Sequence, residues 1–134
     1  APGSSEGLGS LDIATVLESS KQLKNRTGAL AINGATISGY EIHAGISTGR
    51  GLDSPVVLSD EGNDGAISQD NNVMGTYWHG LFDSVDACST LLKWSGFETT
   101  AIDISRLREN SINRLADMLE ANLDADWLAK WTQE

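Results

Sequence analysis

Two short stretches of this 134-residue chain carry its two histidines, and each histidine lies beside residues that could take part in proton transfer. Residues 75–83, Gly-Thr-Tyr-Trp-His-Gly-Leu-Phe-Asp, place His79 at the end of an aromatic run and between two glycines. Alternation along a strand would put Val73, Tyr77 and His79 on one face. The imidazole would then end the strand, where ligand crevices open in α/β sheets. On spacing alone, such a histidine is either a structural residue or a catalyst.

The second stretch, residues 39–45, is Gly-Tyr-Glu-Ile-His-Ala-Gly and belongs to a predicted strand over residues 36–46. Because successive side chains of a strand point to opposite faces, Glu41 and His43 share one face. A carboxylate and an imidazole in this arrangement form either a hydrogen-bonded polar pair within the fold or part of a site.

The sequence lacks the residue patterns that a disulfide, a metal site, a cysteine nucleophile or a phosphate-binding loop would need. The one cysteine, Cys88, permits no internal disulfide and no paired-cysteine zinc site. It follows two acidic residues within an amphipathic helical pattern, whereas a reactive thiolate needs an exposed, electropositive turn, so we interpret it as a small packed residue. The histidines and carboxylates show no metal-ligand spacing, and no glycine-rich loop leads into Lys-Ser or Lys-Thr. His79 is therefore left without a nucleophile of its own.

The charge of the chain argues against a nucleic-acid partner. The formal net charge is -10, and residues 51–102 carry eight acidic side chains against Lys93 alone. Phosphate binding needs clustered Lys and Arg, which are missing here. Much of this acidic excess falls in the glycine-rich region from Asp53 to Asp70, which we predict to be a solvated and partly mobile loop.

The sequence shows no membrane segment and no signal peptide. No apolar run approaches about 18 residues, and the single cysteine fits a reducing cytoplasm. Because the chain starts with Ala1 and has no obvious beginning to a fold, we expect it to be part of a longer protein.

The elements that must position the histidines are predicted as two hairpins followed by helices. Asn33-Gly34 and residues 70–72 are the turn signals. The strands are predicted over residues 11–17 (with a half-turn as the alternative), 23–32, 36–46, 65–69 and 73–78. The helices are predicted over residues 85–94, over a longer stripe from Asp103 to Leu123, and over residues 124–131. Together these elements predict an α/β chain with a mixed sheet, β-hairpins and C-terminal helices.

Residues 39–45 and 75–83 resemble the two signatures in the second half of the glutamine amidotransferase domain of the cobyric acid synthase family. Residues 7–9, 11–12 and 111–117 are similar to segments of the same family at matching places. The order and spacing of these segments make the resemblance specific, and it extends along nearly the whole chain.

The resemblance implies that residues 1–134 are the C-terminal part of a class I, flavodoxin-like glutamine amidotransferase domain. Such a domain hydrolyses glutamine to glutamate and ammonia, with His79 as the catalytic histidine. In this family an upstream synthetase domain uses ATP, magnesium and the ammonia to amidate adenosylcobyrinic acid a,c-diamide in cobalamin biosynthesis. The implied partners are glutamine, this corrinoid and the upstream domains, and no cofactor is assigned to this chain itself.

General chemistry fits the role that the resemblance gives to His79. When a cysteine thiolate attacks the glutamine amide, the leaving ammonia needs a proton from a neighbouring group. The water that later cleaves the thioester must lose a proton. An imidazole, with an ordinary pKa of about 6.5, can serve in both steps.

Two features depart from the family pattern. The nucleophile, a cysteine in a glycine-rich elbow, precedes these signatures and is missing here, so we expect this chain alone to be inactive. The wider class has a glutamate two residues after its histidine, where this chain has Leu81. Asp83 and Glu41 are the candidates to orient His79 instead, and we predict that His43 is structural or acts by orienting another group.

Two alternatives stay open. One is a sister amidotransferase, such as cobyrinic acid a,c-diamide synthase or an isoglutaminyl synthase. The other is a non-catalytic binding module of the same fold. A Gly-x-Cys-x-Gly elbow upstream of this chain would separate an enzyme from such a module.

Overall fold

The computed structural model describes residues 3–99, 101–124 and 130. Contacts divide the chain into two units, Ala1–Ala101 and Ile102–Glu134. The strands are β1 (Ala14–Leu30), β2 (Thr36–Thr48), β3 (Val57–Leu58), β4 (Ala66–Ile67), β5 (Met74–Gly75) and β6 (Trp78–His79). The helices are a 3-10 helix at Arg50–Asp53, α1 (Val85–Trp94) and α2 (Ile104–Asn122).

The long hairpin of β1 and β2 is closed by the predicted Asn33-Gly34 turn. Gly34 has a φ of +74°, which favours glycine, and its amide donates to the Leu30 carbonyl at 2.8 Å. The Asn33 side-chain oxygen accepts from the Ala35 amide at 3.0 Å. The predicted hairpin is confirmed.

β1 extends further toward the N-terminus than the predicted strand over residues 23–32. Its ladder with β2 is irregular between Leu17 and Gln22, and pairing resumes from Leu17 to Ala14. Of residues 11–17, for which the sequence leaves a strand and a half-turn open, those from Ala14 onward are strand. The extra residues are accommodated as a bulge-like irregularity that leaves the rest of the ladder intact.

The main sheet has the strand order β3-β1-β2-β6, and β4 pairs with β5 in a separate small sheet. All strand pairs within the described residues are antiparallel, so the predicted mixed sheet is wrong for this part of the chain. For β1 with β2 and for β4 with β5 the physical reason is connectivity, because a parallel pair needs a crossover of a dozen or more residues and short turns join these strands. The connections from β1 to β3 and from β2 to β6 are long enough for a crossover, so their length does not explain the antiparallel direction of those two pairs. The coarser prediction, an α/β chain with β-hairpins, is confirmed.

The second hairpin is shorter than predicted. The strand predicted over residues 73–78 is divided between β5, which pairs with β4, and β6, which pairs with β2. Asp64 causes the division, because its carboxylate accepts hydrogen bonds from the Thr76 hydroxyl and, at 3.0 Å, from the Tyr77 amide. These hydrogen bonds hold residues 76 and 77, which connect β5 in the small sheet to β6 in the main sheet.

The turn at residues 70–72 is confirmed. Asn71 has a φ of +58°, a conformation that asparagine tolerates. The Asp70 carboxylate accepts from the Ser68 hydroxyl at 2.6 Å and from Asn72, and these bonds lower its pKa below the ordinary 3.8. The ionised carboxylate therefore stabilises the turn.

The first unit has one apolar core, to which β1, β2 and α1 contribute. Ser84 caps α1, where its hydroxyl accepts from the Ala87 amide at 3.4 Å. The helix ends before Gly96, whose φ is +91°. The core residues are Leu30, Ile37, Val56, Val57, Trp78, Leu81, Ala87 and Leu91. The predicted helix over residues 85–94 is thus confirmed.

In the second unit, α2 begins where the sequence predicts. The Asp103 carboxylate accepts from the Arg106 amide at 2.8 Å, which caps the first turn. The predicted apolar side chains of this helix are exposed, for example Leu115 and Leu119. The helix predicted over residues 124–131 falls almost wholly outside the described residues. Among the helices that are described, none is long and apolar enough to cross a bilayer.

Candidate functional site

His79 ends β6 and its side chain is exposed. In the ladder it lies directly opposite Tyr40 of β2. The two rings are stacked, with their centroids 4.8 Å apart and their planes within 4° of parallel. Gly80 follows with a φ of +90°, so the chain turns away immediately after the histidine. The imidazole therefore lies at an open strand end, as predicted.

Gly39 is what allows β6 to approach β2 this closely. A Cβ atom built on Gly39 would overlap the His79 carbonyl oxygen and lie 2.5 Å from Trp78 Nε1. No other residue type fits here without shifting this backbone, because only glycine lacks a Cβ. The strand pair that holds His79 thus depends on a glycine in the neighbouring strand.

Glu41 and His43 share one face of β2, as predicted. His43 Nε2 lies 3.9 Å from Glu41 Oε2, and His43 Nδ1 lies 2.7 Å from the Gly45 carbonyl oxygen. Because a carbonyl only accepts hydrogen bonds, Nδ1 carries the hydrogen. The Tyr77 ring stacks on His43, with centroids 3.9 Å apart and planes 12° from parallel. His43 is thus held on two sides.

Arg26 of β1 is the partner of Glu41 that sequence reasoning missed. Its Nη1 donates to Glu41 Oε1 at 2.5 Å, and both side chains are about nine-tenths buried. Its Nη2 donates to the Gly62 carbonyl, and the guanidinium lies over the Trp78 ring at 5.3 Å. Among the described residues, Arg26 Nε is buried and makes no hydrogen bond. A single arginine in a strand gave no sequence signal of this pairing.

A cavity of about 460 Å³ opens on the same face of the sheet. Arg26, Glu41, His43, Asp64 and Tyr77 are among the residues that line it, together with hydroxyl side chains. Its volume is within the range of small-molecule sites. His79 does not line this cavity, so the polar cavity and the exposed histidine are separate features of the first unit.

The two faces of β2 explain this separation. Tyr40 and His79 are paired on one face, whereas Glu41 lies opposite Trp78 and turns to the other face with Arg26 and His43. Tyr77 stacks on His43, so the prediction that Tyr77 and His79 share a face is wrong. The bend between β5 and β6 interrupts the alternation on which that prediction depends. The structure therefore does not bring Glu41 or His43 to His79.

Of the residues that follow His79, Leu81 is buried and Asp83 is exposed. Leu81 is 6% exposed and belongs to the core, so the position two residues after His79 faces the interior. Asp83 is exposed, and its amide donates to the Gly80 carbonyl at 3.1 Å. Its carboxylate lies over the turn, with Oδ2 3.5 Å from the position that a Gly80 Cβ would take. Of the two predicted orienting carboxylates, Asp83 is the one on the turn that follows His79.

Cys88 lies inside α1, four residues after the Ser84 cap, and is partly buried. Its neighbour Ala87 is fully buried. A nucleophile elbow would place a cysteine at a sharp strand-to-helix turn, which is not where Cys88 lies. In the part of the chain that the structure describes, no group of three or more histidine, cysteine or carboxylate side chains could hold a metal ion.

These features define an α/β chain with an antiparallel sheet, an exposed strand-end histidine and one cysteine within a helix. Residues 1–87 match the family model of the CobB/CobQ-like glutamine amidotransferase domain. The chain belongs to this family. The match contains both histidine-bearing stretches and ends before residues 111–117, so the resemblance of that segment depends on its own sequence. No solved structure matches the chain.

Proposed function

We propose that this chain supplies the catalytic histidine, His79, of a glutamine amidotransferase of the cobyric acid synthase type. The observation that carries the proposal is an exposed imidazole at the end of β6, held against Tyr40, in a chain of the CobB/CobQ-like family. Exposure matters because a general acid must reach the leaving group of a substrate.

His79 acts in both halves of glutamine hydrolysis. When a cysteine thiolate attacks the side-chain amide, the imidazolium donates a proton to the departing ammonia, and a thioester remains on the cysteine. The neutral imidazole then removes a proton from the attacking water, and collapse of the intermediate breaks the C–S bond, which releases glutamate and regenerates the thiolate beside an imidazolium. Each step leaves the ring in the protonation state that the next step requires.

The thiolate comes from another part of the enzyme. Cys88 lies within α1 and is partly buried, a setting that does not favour a nucleophile. We place the nucleophile in a glycine-rich elbow of a segment that precedes residues 1–134 in the complete domain. That complete domain has the class I, flavodoxin-like fold, and this chain alone does not hydrolyse glutamine.

The ammonia serves an ATP-dependent ligase. ATP and magnesium bind in a separate synthetase domain, which amidates carboxylates of adenosylcobyrinic acid a,c-diamide in the cytoplasm. The matched family model covers both CobB-like and CobQ-like domains. The motif Gly-Tyr-Glu-Ile-His at residues 39–43 favours the cobyric acid synthase type over a cobyrinic acid a,c-diamide synthase.

The test is His79→Ala in the complete enzyme. We expect glutamine-dependent amidation to fall by about 10³-fold or more, because removing a catalytic group forfeits most of the chemical acceleration. Amidation driven by added ammonium chloride should stay within about twofold of wild type, since ammonia bypasses glutamine hydrolysis. Both rates come from one coupled ATPase or product assay with the two nitrogen donors.

His43→Gln is the matched comparison, because His43 is the other histidine and faces away from His79. Loss of both activities in His79→Ala, or loss of glutamine-dependent activity in His43→Gln alone, contradicts the proposal. A complete protein that lacks an upstream cysteine elbow and hydrolyses no glutamine would favour the non-catalytic binding module instead.

A further inference from the structure

Tyr40 contacts His79 but has no role in the proton transfers proposed for glutamine hydrolysis. They are direct partners across the β2–β6 ladder, and side chains of direct partners share a face and interact. Their rings lie 4.8 Å apart and within 4° of parallel. Tyr40 is itself 43% exposed, so it is not a core residue that happens to touch the histidine.

The stack restrains the plane of the imidazole ring without covering the ring edge, where the reactive nitrogens lie. Parallel stacking engages the flat face of the imidazole and so limits rotation of the ring plane. Both ring nitrogens lie on the edge of the ring, the side chain is exposed, and neither nitrogen makes a hydrogen bond with a described residue. A packing contact against the ring edge would block a nitrogen, whereas this contact fixes the plane and blocks neither.

His79 needs such a restraint because no described residue makes a hydrogen bond to its ring, and this includes Asp83 on the turn that follows. β6 has two residues, and Gly80 turns the chain away immediately after the histidine. Leu81, which occupies the position where the wider class has an orienting glutamate, is buried in the core. A misplacement of about 1 Å in a catalytic group can cost about 10²-fold in rate, so an unrestrained imidazole would be a poor catalyst.

Tyr40 is well placed to restrain the His79 ring. β2 is an inner strand, so Tyr40 has ladder partners on both sides, Asn25 in β1 and His79 in β6. The second tyrosine–histidine stack shows the contrast. His43 is stacked on Tyr77, but its Nδ1 is already bound to the Gly45 carbonyl. Within the described residues, the stack at His79 is the one that leaves both ring nitrogens open.

We propose that Tyr40 is a positioning residue for catalysis: its ring fixes the plane of the His79 imidazole in place of the orienting carboxylate of the wider class. This inference depends on the proposed role of His79 in glutamine hydrolysis. The phenol hydroxyl has no part in it, so the aromatic ring alone should suffice.

The first measurement is NMR of the imidazole carbon-bound protons in the 134-residue chain, with the two histidines assigned by His43→Gln and His79→Gln. The tyrosine ring should move the His79 signals upfield of those of an unstructured histidine. The displacement should persist in Tyr40→Phe and disappear in Tyr40→Ile, which keeps a strand-forming side chain. Ile42→Ala, on the same face two residues along, is the control and should leave the signals unchanged.

The second measurement is steady-state glutamine hydrolysis by the complete enzyme. Tyr40→Ile should lower kcat by about tenfold to hundredfold while KM for glutamine stays within about twofold, because ring orientation matters in the transition state. Tyr40→Phe should restore kcat to within about threefold of wild type. A urea midpoint of the Tyr40→Ile chain close to that of the wild-type chain verifies that this part is folded, and ammonia-dependent amidation verifies that the synthetase domain is intact.

Different failures identify which proposal is wrong. If His79→Ala abolishes glutamine hydrolysis while Tyr40→Ile keeps the wild-type kcat, the positioning role is overturned and the function stands. Undisplaced His79 signals in the wild-type chain also overturn it, whatever the variants do. If His79→Ala hydrolyses glutamine normally, the proposed function fails, and the positioning role fails with it.

Discussion

Arg26 and Glu41 carry opposite charges into the interior of the first unit. Their side chains are 7% and 11% exposed, and the guanidinium contacts the carboxylate at 2.5 Å. Two ions that leave water lose hydration, and their mutual attraction compensates for that loss only while both are present. Glu41 thus holds Arg26 on the face of β2 that is opposite to His79.

Removing one charge of this buried pair should lower the free energy of unfolding much more than removing one charge of an exposed pair. In Glu41→Gln the guanidinium stays buried without its counter-ion, so we expect the free energy of unfolding to fall by about 3 kcal/mol or more. Urea denaturation monitored by tryptophan fluorescence measures this. The control is Glu61→Gln, since Glu61 and Lys24 form an exposed pair at 3.6 Å that should contribute less than about 1 kcal/mol. Equal losses in the two variants would contradict the buried pairing.

The histidine with the proposed catalytic role lies on β6, one of the four two-residue strands of the described chain. β6 has two residues, yet it carries His79, and one edge of β2 holds it. That edge is close enough because position 39 is glycine. The element is therefore defined by its neighbour, and its own two residues would not form a strand alone.

A methyl group at position 39 should loosen β6. Gly39→Ala places a Cβ against the His79 carbonyl oxygen and close to Trp78 Nε1, so the backbone must shift. We expect a loss of about 1–3 kcal/mol in unfolding free energy, with faster amide hydrogen exchange at residues 78–79. Gly7→Ala is the control, because nothing lies within 4 Å of a Cβ there, and it should change stability by less than about 0.5 kcal/mol. Unchanged exchange in Gly39→Ala would show that the close approach does not hold β6.

The chain as a whole is strongly acidic, with a formal net charge of -10. Of the eight acidic residues between positions 51 and 102, all but Asp64 are exposed in the structure. This confirms that the acidic region is solvated, and its predicted mobility stays a prediction. Like charges on one surface repel each other and disfavour the compact state.

Salt should therefore stabilise this protein. Between about 10 mM and 150 mM NaCl the screening length falls from about 30 Å to 8 Å, which weakens repulsion between exposed charges. We expect the urea midpoint to rise with NaCl while the slope of the transition stays constant. Replacing the exposed residues Asp60, Asp86 and Glu98 with lysine should reduce this salt effect. A midpoint that falls as salt is added would show that attractive pairs dominate.

Features that depend on neighbouring residues could be predicted from the amino-acid sequence. Asn33 and Gly34 determine a turn, Ser84 and Asp103 cap helices, and alternation places Glu41 and His43 on one face. The family also follows from the sequence, since residues 1–87 match its model. These features can be predicted from the sequence because the interactions that produce them join residues only a few positions apart.

The contacts of each site residue could be seen only in the folded structure. Asp64 draws the chain from one sheet to another, which puts Tyr77 against His43 and His79 against Tyr40 on opposite faces. Arg26 meets Glu41 only because a hairpin aligns them from fifteen positions apart. Such contacts follow from strand register and from where a strand is interrupted, and these are set by packing and hydrogen bonds between distant segments. A local pattern cannot encode them.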